Sequence, residues 1–422
     1  MTMNRRRMLA ALASAPVALG AGLAEAAPML SETNYGLTLE KASRGNGWLE
    51  IDAAAFEANI ASLRALIGPA HEICVVMKAD AYGHSIALLI PSIVRTGVRV
   101  VGLTSNEEAR VARALGYKGR IVRLRTGTLE EIEDGLSYGV EELTGNPAHA
   151  RAAVALAARW GRRLDVHFAL NSTGMGRNGL DLTHQAGRDD AKALMAIEGL
   201  RIVGVMSHFP VEDVADMAPA LERFLAESDW VIETGGLDRR QILRHVANSW
   251  ATLDLPDARL DMVRAGGVLY GDSDPRFTQF RRLMTAKSRV ACVNFFPAGS
   301  TVSYDRTYRL TRDSWLANIP AGYSDGYRRG FSHRNQPEPD AHQVYVLIRG
   351  HRMPVMGRVT MNTVMVDVTD VKDQVQMDDE VVFFGRQGSE EISQAELETA
   401  AGTIGAELYT IFGTSMPKVL KA

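Results

Sequence analysis

Eight short apolar runs recur between residues 73 and 264, and longer segments rich in Ala, Arg and Leu separate them. Most runs are continuously apolar rather than alternating, which is typical of parallel strands covered on both faces. The segments between them, such as residues 106–115 and 148–160, have the composition of amphipathic helices. The predicted strands are Ile73–Met77, Arg99–Leu103, Arg120–Leu124, Val140–Leu143, Leu164–Leu170, Leu200–Met206, Gln241–Val246 and Asp261–Arg264.

Eight such strand–helix units within about 220 residues predict an α/β fold, a (β/α)8 barrel of the TIM type. A doubly wound sheet is the alternative, but the first strand is not followed by a Gly-x-Gly-x-x-Gly turn. After about residue 285 the runs become shorter, β-branched and punctuated by glycine. We therefore predict a barrel over residues 48–285 and a mainly β C-terminal domain over residues 286–422.

Composition narrows the class of protein. The 422 residues are 46% hydrophobic and 23% charged, and 47 Lys and Arg against 50 Asp and Glu give a net charge of −3. This balance argues against binding of nucleic acid through a general positive field. No apolar run beyond the first thirty residues approaches the ~18 residues of a membrane span. These features predict a two-domain enzyme acting on small molecules, with no nucleic-acid or membrane partner.

The N-terminus has the features of an export signal. Arg5–Arg7 precede an apolar stretch that Pro16 interrupts, and alanines near residue 26 offer a cleavage site. We expect residues 1–27 to be a signal peptide, residues 28–47 an N-terminal extension, and the mature protein to be periplasmic. The arginine cluster fits a twin-arginine signal, and a Sec signal is the alternative. Cys74 and Cys292 lie far apart in sequence, so a disulfide between them is not favoured.

Lys78 is the most informative position. It directly follows the first predicted strand, at the barrel end where enzymes of this architecture keep their active sites. Burial there would lower the pKa of the lysine and leave a free amine able to form a Schiff base. Taken alone, the residue is more simply a surface lysine whose stem packs at a strand end.

The ends of the other predicted strands favour the functional interpretation. Six strands end in polar or glycine residues, which indicates functional groups around one cavity. The glycines after the last strand would let backbone N–H groups approach a phosphate. A phosphate site and an amine-bearing lysine in one cavity suggest pyridoxal 5′-phosphate, and no metal site is predicted. The strand-end residues are Arg123, Arg125, Asn171–Asn178, His208, Asn248, Ser249, Arg264, Gly266 and Gly267.

The same residues resemble the alanine racemase family. Val-Met-Lys-Ala-Asp-Ala-Tyr-Gly-His at residues 76–84 is similar to the cofactor-lysine signature of that family. The resemblance continues in order through nearly the whole mature chain, so it is far more specific than any single motif. The other matching segments are residues 48–52, 173–177, 206–209, 248–249, 264–271, 302–304, 319–327 and 357–361.

The resemblance implies a fold-type III racemase that uses pyridoxal 5′-phosphate and is active as a homodimer. It implies that Lys78 holds the cofactor and acts as one acid/base, and that Tyr304 from the partner subunit is the second. Racemisation needs two groups, because one removes the α-proton while the other delivers a proton to the opposite face. Outside this motif, Tyr304 would be interpreted as a packed strand tyrosine.

The remaining roles also come from the resemblance. Arg264 would hydrogen-bond the pyridine nitrogen, and His208 would link Arg264 to Tyr304. Arg177 would contact the cofactor and the substrate carboxylate, while Met361 and Tyr323 would line the entrance from the partner chain. Tyr82, Ser249, Gly266 and Gly267 would hold the phosphate, and Asn248 would also contact the cofactor.

Departures from the alanine racemase pattern predict a wider substrate range. Family members carry a carbamylated lysine shortly before the Thr-Gly-Met-Gly-Arg segment, and residues 167–173 contain none. The chain resembles instead the exported broad-spectrum amino-acid racemases. The residues that carry this resemblance are Ala169, Asn171, Asn178 and the pair Arg123 and Arg125. Asn171 would replace the lysine, with a chloride ion beside Arg177 supplying the negative charge. We expect Ala, Ser, Lys, Arg and Met as substrates, with Asn171, Asn178, Arg123 and Arg125 among the substrate-binding residues.

Three other functions are weighed against this prediction. A strict alanine racemase would differ in pocket size, not in chemistry. A fold-type III decarboxylase generally places a carboxylate on the pyridine nitrogen, which Arg264 argues against. Single-barrel proteins that bind the cofactor for homeostasis lack a β domain and any counterpart of Tyr304. One phosphate contact is also missing, because residues 413–417 lack the tyrosine that many alanine racemases carry.

Overall fold

The computed structural model describes residues 39–42 and 44–421, and the predicted signal peptide, residues 1–27, lies outside them. A short helix α1 (Leu39–Ala42) and strand β1 (Trp48–Ile51) precede the barrel. No helix in the part of the chain that the structure describes is long and apolar enough to cross a membrane.

Eight parallel strands form a nearly closed barrel, which confirms the predicted architecture. The last strand pairs with the first in register Cys74↔Arg264. Between the seventh and eighth strands the ring is bridged by the backbone N–H groups of Asp261 and Arg264, which donate to Arg244 and Ala247. The strands are β2 Glu72–Val76, β3 Val100–Leu103, β4 Arg120–Arg123, β5 Val140–Thr144, β6 Leu164–Ala169, β7 Leu200–Met206, β8 Leu243–His245 and β9 Met262–Ala265.

Helices surround the barrel and begin where the sequence supplies caps. Ser105 with Glu108, and Thr128 with Glu131, form capping boxes that satisfy the first N–H groups of two of these helices. The predicted helices at residues 106–115 and 148–160 are confirmed within one or two residues at each end. The helices are α2 Ala53–Ile67, α3 Ile86–Arg95, α4 Asn106–Ala114, α5 Leu129–Gly135, α6 Pro147–Arg159, α7 Gln185–Met195, α8 Val214–Thr234 and α9 Ser249–Asp254.

The barrel interior is filled by side chains in layers. One layer is apolar and contains Cys74, Val100, Val122 and Met262. Cys74 is buried and free, and Cys292 is also free, so the disulfide that the sequence did not favour is not formed. Burial raises the pKa of the Cys74 thiol to about 12, which makes it unreactive.

The C-terminal region is mainly β, as predicted, with two helices that the sequence analysis did not predict. A seven-stranded sheet has the order β16-β15-β18-β10-β1-β20, with β19 on β18, and two- and three-stranded sheets accompany it. The elements are β10 Met284–Arg289, β11 Cys292–Phe296, β12 Thr301–Val302, β13 Tyr308–Arg309, β14 Ser314–Ile319, β15 Tyr345–Ile348, β16 His351–Pro354, β17 Val364–Asp367, β18 Glu380–Gln387, β19 Glu390–Ile392, α10 Gln394–Ala401, α11 Gly405–Ser415 and β20 Lys418–Leu420.

Strand β1 departs from the predicted division of the chain. The sequence analysis placed residues 48–51 with the barrel, but β1 pairs antiparallel with β10 and parallel with β20. Leu49 and Ile51 are fully buried there, so the chain starts in the C-terminal sheet and then enters the barrel. The N-terminal strand thus ties the two regions together.

Candidate active site

Lys78 lies at the C-terminal mouth of the barrel, and only Met77 separates it from the end of β2 at Val76. The backbone of Ala79, Asp80, Ala81 and Tyr82 is left-handed, with φ between 53° and 56°. Each such residue costs about 1–2 kcal/mol relative to a right-handed conformation. Strain of this size concentrates at functional sites, where the surroundings enforce it.

Contacts from three elements hold this left-handed turn. Asp80 accepts hydrogen bonds from Lys418 Nζ at 2.9 Å and from the Ile86 N–H at 2.8 Å. Its own N–H donates to Glu108 Oε1 at 3.1 Å. The buried His84 donates from Nδ1 to the carbonyls of Ala81 and Tyr82, at 3.1 and 2.8 Å. Because Lys418 belongs to the C-terminal region, that region helps to fix the position of Lys78.

The electrostatic surroundings of Lys78 favour a neutral amine. Desolvation in the barrel mouth, followed by the positive charges of Arg177 and Arg264, lowers the pKa of Lys78. Glu108 acts in the opposite direction and does not compensate. A lysine with a lowered pKa is a better nucleophile and proton acceptor near neutral pH.

The loops after β8 and β9 form a cradle of backbone N–H groups. Ser249 Oγ accepts hydrogen bonds from the N–H groups of Gly266 and Val268, at 3.0 and 3.3 Å. The Tyr82 ring stacks on Tyr270 with centroids 4.8 Å apart, and its hydroxyl lies against Gly266. Burial, with a contribution from the carboxylate of Asp272, raises the pKa of Tyr82 to about 12, so its hydroxyl remains a hydrogen-bond donor.

Asn248 caps a helix at the mouth. It was expected to contact the cofactor, but its Oδ1 accepts the N–H of Ala251 at 2.9 Å and caps helix α9. Its side chain therefore orients Ser249 by fixing the start of the helix.

Arg264 is buried at the base of the mouth and is held from several sides. Its Nη1 donates to Nδ1 and the carbonyl of His245, at 2.8 and 2.9 Å. Its Nη2 donates to Nδ1 of His208 at 3.1 Å and to the carbonyls of Ser207 and Val246. Among the residues that the structure describes, none accepts from Nε–H, which is left for a ligand.

His208 is kept neutral. Burial first, and then the charges of Arg264, Arg177 and Lys78, lower the pKa of His208 to about 3. Because Arg264 can only donate, Nδ1 of His208 must accept, and Nε2 therefore carries the proton. Burial also lowers the pKa of Arg264, to about 10, and the side chain stays charged at neutral pH.

A cavity of about 380 Å³ lies next to Arg177, whose charge also acts on Lys78 and His208. Asn171 Oδ1 accepts the N–H of Gly176 at 2.8 Å, which holds the loop that presents Arg177. Asn178 accepts a hydrogen bond from Thr126 at 3.3 Å. Arg177 is exposed and has no hydrogen-bond partner within the described residues. The lining residues include Thr126, Asn146, His149, Asn171, Arg177 and Asn178.

The two arginines that were predicted to bind substrate, Arg123 and Arg125, have different positions. Arg125 pairs with Glu131 at the rim. Arg123 was predicted as a substrate-binding residue, but it is 2% exposed and points away from the cavity, between the barrel wall and the helices. There it binds Glu142 through two hydrogen bonds, at 2.7 and 3.1 Å, and Asn106 at 2.6 Å. The alternation of side chains along β4 causes this, because Val122 and Leu124 point inward and Arg123 outward.

Tyr304, Tyr323 and Met361 lie on the surface of the C-terminal region. Their exposed fractions are 68%, 43% and 55%, unusually high for large apolar side chains. The loops of Tyr323 and Met361 are hydrogen-bonded to each other, and Ser303 Oγ donates to the carbonyl of Arg358 at 2.6 Å. The backbone of Ser303 and Asp305, on either side of Tyr304, has φ near +60°. Tyr304 is thus presented outward on a constrained loop.

Sequence reasoning missed several residues that support the site. His245, His167 and Glu141 lie behind Arg264 inside the barrel, and His84 holds the left-handed turn. A signal was present for two of them, because Glu141 and His167 are polar residues within strands predicted to line a barrel. A second cavity of about 960 Å³ at the N-terminal end of the barrel is lined by charged side chains that include Glu72, Arg99 and Arg120. This cavity is at the opposite end of the barrel from the C-terminal mouth, where enzymes of this architecture have their active sites.

Comparisons with known proteins agree with this arrangement. The model of the alanine racemase N-terminal domain matches residues 51–274, and that of the C-terminal domain matches residues 283–420. The broad specificity amino-acid racemase of Aeromonas hydrophila is 49% identical over 420 residues, 99% of this chain and 100% of the relative. The lysine racemase of Proteus mirabilis is 42% identical over 375 residues, 89% of each chain.

Solved structures show the same architecture. Alanine racemase from Bacillus anthracis with bound L-Ala-P has a TM-score of 0.79 and 26% identity, over 89% of this chain and 95% of that one. Alanine racemase from Bartonella henselae with covalently bound pyridoxal phosphate has a TM-score of 0.75 and 24% identity, over 89% and 99%. Because the two domain models together match most of the sequence, the chain belongs to the alanine racemase family.

Proposed function

We propose that this protein is a pyridoxal 5′-phosphate-dependent amino-acid racemase of broad substrate range, which interconverts L- and D-forms of Ala, Ser, Lys, Arg and Met. The observation that carries the proposal is the convergence of Lys78, Arg264 and His208 at one barrel mouth, with the spare Nε–H of Arg264 left for a ligand. Membership in the alanine racemase family and relatives named as broad specificity racemases support it.

The residues at the mouth fit the cofactor. A Cβ built on Gly266 would lie 2.4 Å from the Tyr82 hydroxyl, so this part of the cradle is open only because residue 266 is glycine. Tyr82, Ser249, Gly266 and Gly267 would hold the phosphate, Arg177 the phenolic oxygen, and Lys78 the aldehyde carbon. The Nε–H of Arg264 would bind the pyridine nitrogen, and its permanent charge would keep that nitrogen unprotonated. When bound, the cofactor withdraws electrons from the substrate α-carbon and makes the α-proton acidic.

Two side chains would then move the α-proton. Lys78, with its lowered pKa, takes or returns a proton on one face of the α-carbon. Tyr304 of the partner subunit does the same on the other face, and the Nε2–H of His208 is available to hydrogen-bond its oxygen. Tyr304 is 68% exposed on the single chain, which supports a homodimer in which each site is completed by the other chain. Tyr323 and Met361 would line the entrance on the same surface.

The segment before Arg177 supports breadth. It contains Ala169 and Asn171 and no lysine, and a cavity of about 380 Å³ lies next to Arg177. Arg177 would bind the substrate carboxylate. A chloride ion between Asn171 and Arg177 would supply the negative charge that a carbamylated lysine supplies in strict enzymes. Asn178 and Arg125 would line or support the wider opening.

Two other functions have weaker support. A decarboxylase would place a carboxylate at the pyridine nitrogen, whereas here Arg264 would present an N–H donor to it. A strict alanine racemase would share all the chemistry and differ only in the pocket.

Export is also part of the proposal. The arginine cluster and apolar stretch of residues 1–27 support a signal peptide and a periplasmic enzyme. Replacing Arg5, Arg6 and Arg7 together by Lys should abolish export if the route is the twin-arginine one. Unchanged export of that variant would indicate the Sec route.

The direct test is incubation of the purified holoenzyme with each pure enantiomer in deuterated water. Both enantiomers of alanine should approach an equal mixture and acquire deuterium at the α-carbon. Lys78→Ala and Tyr304→Phe should lose this activity. Release of the amine and carbon dioxide instead would establish the decarboxylase.

A further inference from the structure

A continuous line of polar side chains runs through the barrel interior and ends at Arg264. Arg120 at the start of β4 donates to both oxygens of Glu141 on β5, at 2.6 and 2.8 Å. His167 on β6 lies 2.9 Å from Glu141 Oε2 and 2.8 Å from Nε2 of His245 on β8. Nδ1 of His245 is 2.8 Å from Nη1 of Arg264. Barrel interiors are usually filled by Val, Ile and Leu, so five polar side chains in a row require an explanation.

Strand β7 leaves space for these polar side chains. Residue 204 on β7 is glycine, and a Cβ there would lie 2.3 Å from Nδ1 of His167. The pairing of β6 with β7 also shifts register between Val166 and His167. Both histidines are fully buried. The backbone therefore makes room for an imidazole at the place where an apolar side chain would be simplest.

Only one arrangement of protons satisfies every contact. Arg264 can only donate, so Nδ1 of His245 accepts and Nε2 of His245 carries the hydrogen. His167 then accepts at Nδ1 and donates from Nε2 to Glu141. Burial lowers the pKa values of both histidines and keeps them neutral. Burial alone would raise the pKa of Glu141, but the hydrogen bonds from His167 and Arg120 outweigh it and lower the pKa to about 2.

The fixed order of the protons determines which N–H donor of Arg264 is free to bind a ligand. Every donor in the line points toward the Glu141 carboxylate, so His245 always offers a lone pair to Nη1. With Nη1 and Nη2 fully used, Nε–H is the single donor left for a ligand. If the order reversed, His245 would aim an N–H at Nη1 and push the guanidinium away.

We propose that Glu141 is a positioning residue, which acts through His167 and His245 to hold Arg264 in the orientation that binds the cofactor ring. This inference rests on the proposed function, because it assumes that the ligand of Arg264 is pyridoxal 5′-phosphate.

The test compares two neighbouring buried carboxylates. Glu141→Gln removes the charge that orders the line, whereas Glu142→Gln removes a carboxylate from the same strand that pairs with Arg123 on the outer face. We measure the dissociation constant of pyridoxal 5′-phosphate from the apoenzyme, the absorption band of the bound cofactor and the melting temperature. Glu141→Gln should weaken binding about tenfold and shift the band, since it disturbs one charge-assisted contact of Arg264. Glu142→Gln should lower the melting temperature and change neither cofactor property.

Two variants of His167 keep the test decisive if Glu141→Gln does not fold. His167→Leu places an apolar residue in the barrel interior and should fold, but it should reproduce the weaker binding and the band shift. His167→Gln should restore both, because its amide can accept from His245 and donate to Glu141 in the same order.

The outcomes separate this inference from the proposed function. Unchanged binding and spectrum in Glu141→Gln or His167→Leu would overturn the positioning role. Wild-type protein that binds the cofactor, loses affinity in these variants and racemises nothing would overturn only the proposed function. Wild-type protein that binds no pyridoxal 5′-phosphate would overturn both.

Discussion

The hydroxyl of Tyr82 lies where a side chain at position 266 would have to go, because a Cβ on Gly266 would be 2.4 Å from that oxygen. Tyr82 cannot easily move aside, since its ring stacks on Tyr270, whose own hydroxyl donates to the carbonyl of Val76 at 3.0 Å. Tyr82 and Tyr270 therefore connect the strand that leads to Lys78 with the loop that follows the last strand, and they fix the position of each relative to the other.

This relationship predicts the effect of a methyl group in the cradle. Gly266→Ala should displace Tyr82 and weaken binding of pyridoxal 5′-phosphate by about tenfold or more, as expected for the loss of a phosphate hydrogen bond. Gly330→Ala is the control, because it lies in the C-terminal region outside the cradle and a Cβ there would meet no atom closer than 3.4 Å. Titration of the apoenzyme measures both affinities, and equal loss in the two variants would be inconsistent with the fit described here.

The position of Lys78 predicts that it carries the cofactor. The purified holoenzyme should absorb near ~420 nm and lose that band on treatment with borohydride, which fixes the cofactor on its lysine. Peptide mapping should find the label on Lys78. A label on any other lysine would refute the assignment.

The exposure of Tyr304 predicts complementation between inactive dimers. Lys78→Ala and Tyr304→Phe homodimers should both be almost inactive. A mixed dimer has one site with both native groups, so a statistical mixture should recover about a quarter of wild-type activity. Subunit exchange must be shown independently with two affinity tags. No recovery after proven exchange would mean that both groups come from one chain.

Buried His84 predicts a pH-dependent stability. Burial lowers its pKa to about 4, whereas a histidine in the unfolded chain titrates near ~6.5. Between these values only the unfolded state takes up the proton, so the contribution of His84 to stability is complete above ~6.5 and is lost as the pH falls toward 4. Asn can make the same contacts as Nδ1 without titrating.

The free energy of unfolding of the holoenzyme should therefore fall less steeply for His84→Asn than for wild type below pH ~6.5. The difference in slope should approach one proton, about 1.4 kcal/mol per pH unit. Urea unfolding at fixed protein and cofactor concentrations measures it. His351→Asn, at an exposed strand position, is the control and should follow the wild-type slope. Parallel curves for His84→Asn and wild type would contradict the prediction.

Much of this architecture could be predicted because parallel strands leave a strong sequence signal. Each of the eight predicted strands overlaps an observed one, since continuous apolar runs have few other uses in a soluble fold. The strand-end positions of Lys78, His208 and Arg264 followed from that register.

What could not be predicted depends on contacts between distant residues. The left-handed turn at residues 79–82 contains no glycine and is enforced by Lys418, His84 and Glu108, which local propensity does not reveal. The pairing of β1 with β20 joins the two ends of the described chain, and no hydrophobic pattern encodes such a partner. The outward direction of Arg123 depends on the register of its strand in the barrel, because a shift of one residue would turn every side chain to the other face.

Substrate breadth distinguishes this enzyme from a strict alanine racemase and can be measured directly. In the proposed function, the segment before Arg177 contains Ala169 and Asn171 and no lysine, and a wall without that bulk would admit longer side chains. The decisive experiment measures the initial rate of D-enantiomer formation from L-Ala, L-Ser, L-Met, L-Leu, L-Lys and L-Arg by chiral chromatography, with one preparation of the dimer. We predict that the rates for Lys, Arg or Met lie within about a hundredfold of the rate for Ala. Activity confined to Ala and Ser would contradict the account and leave a strict alanine racemase.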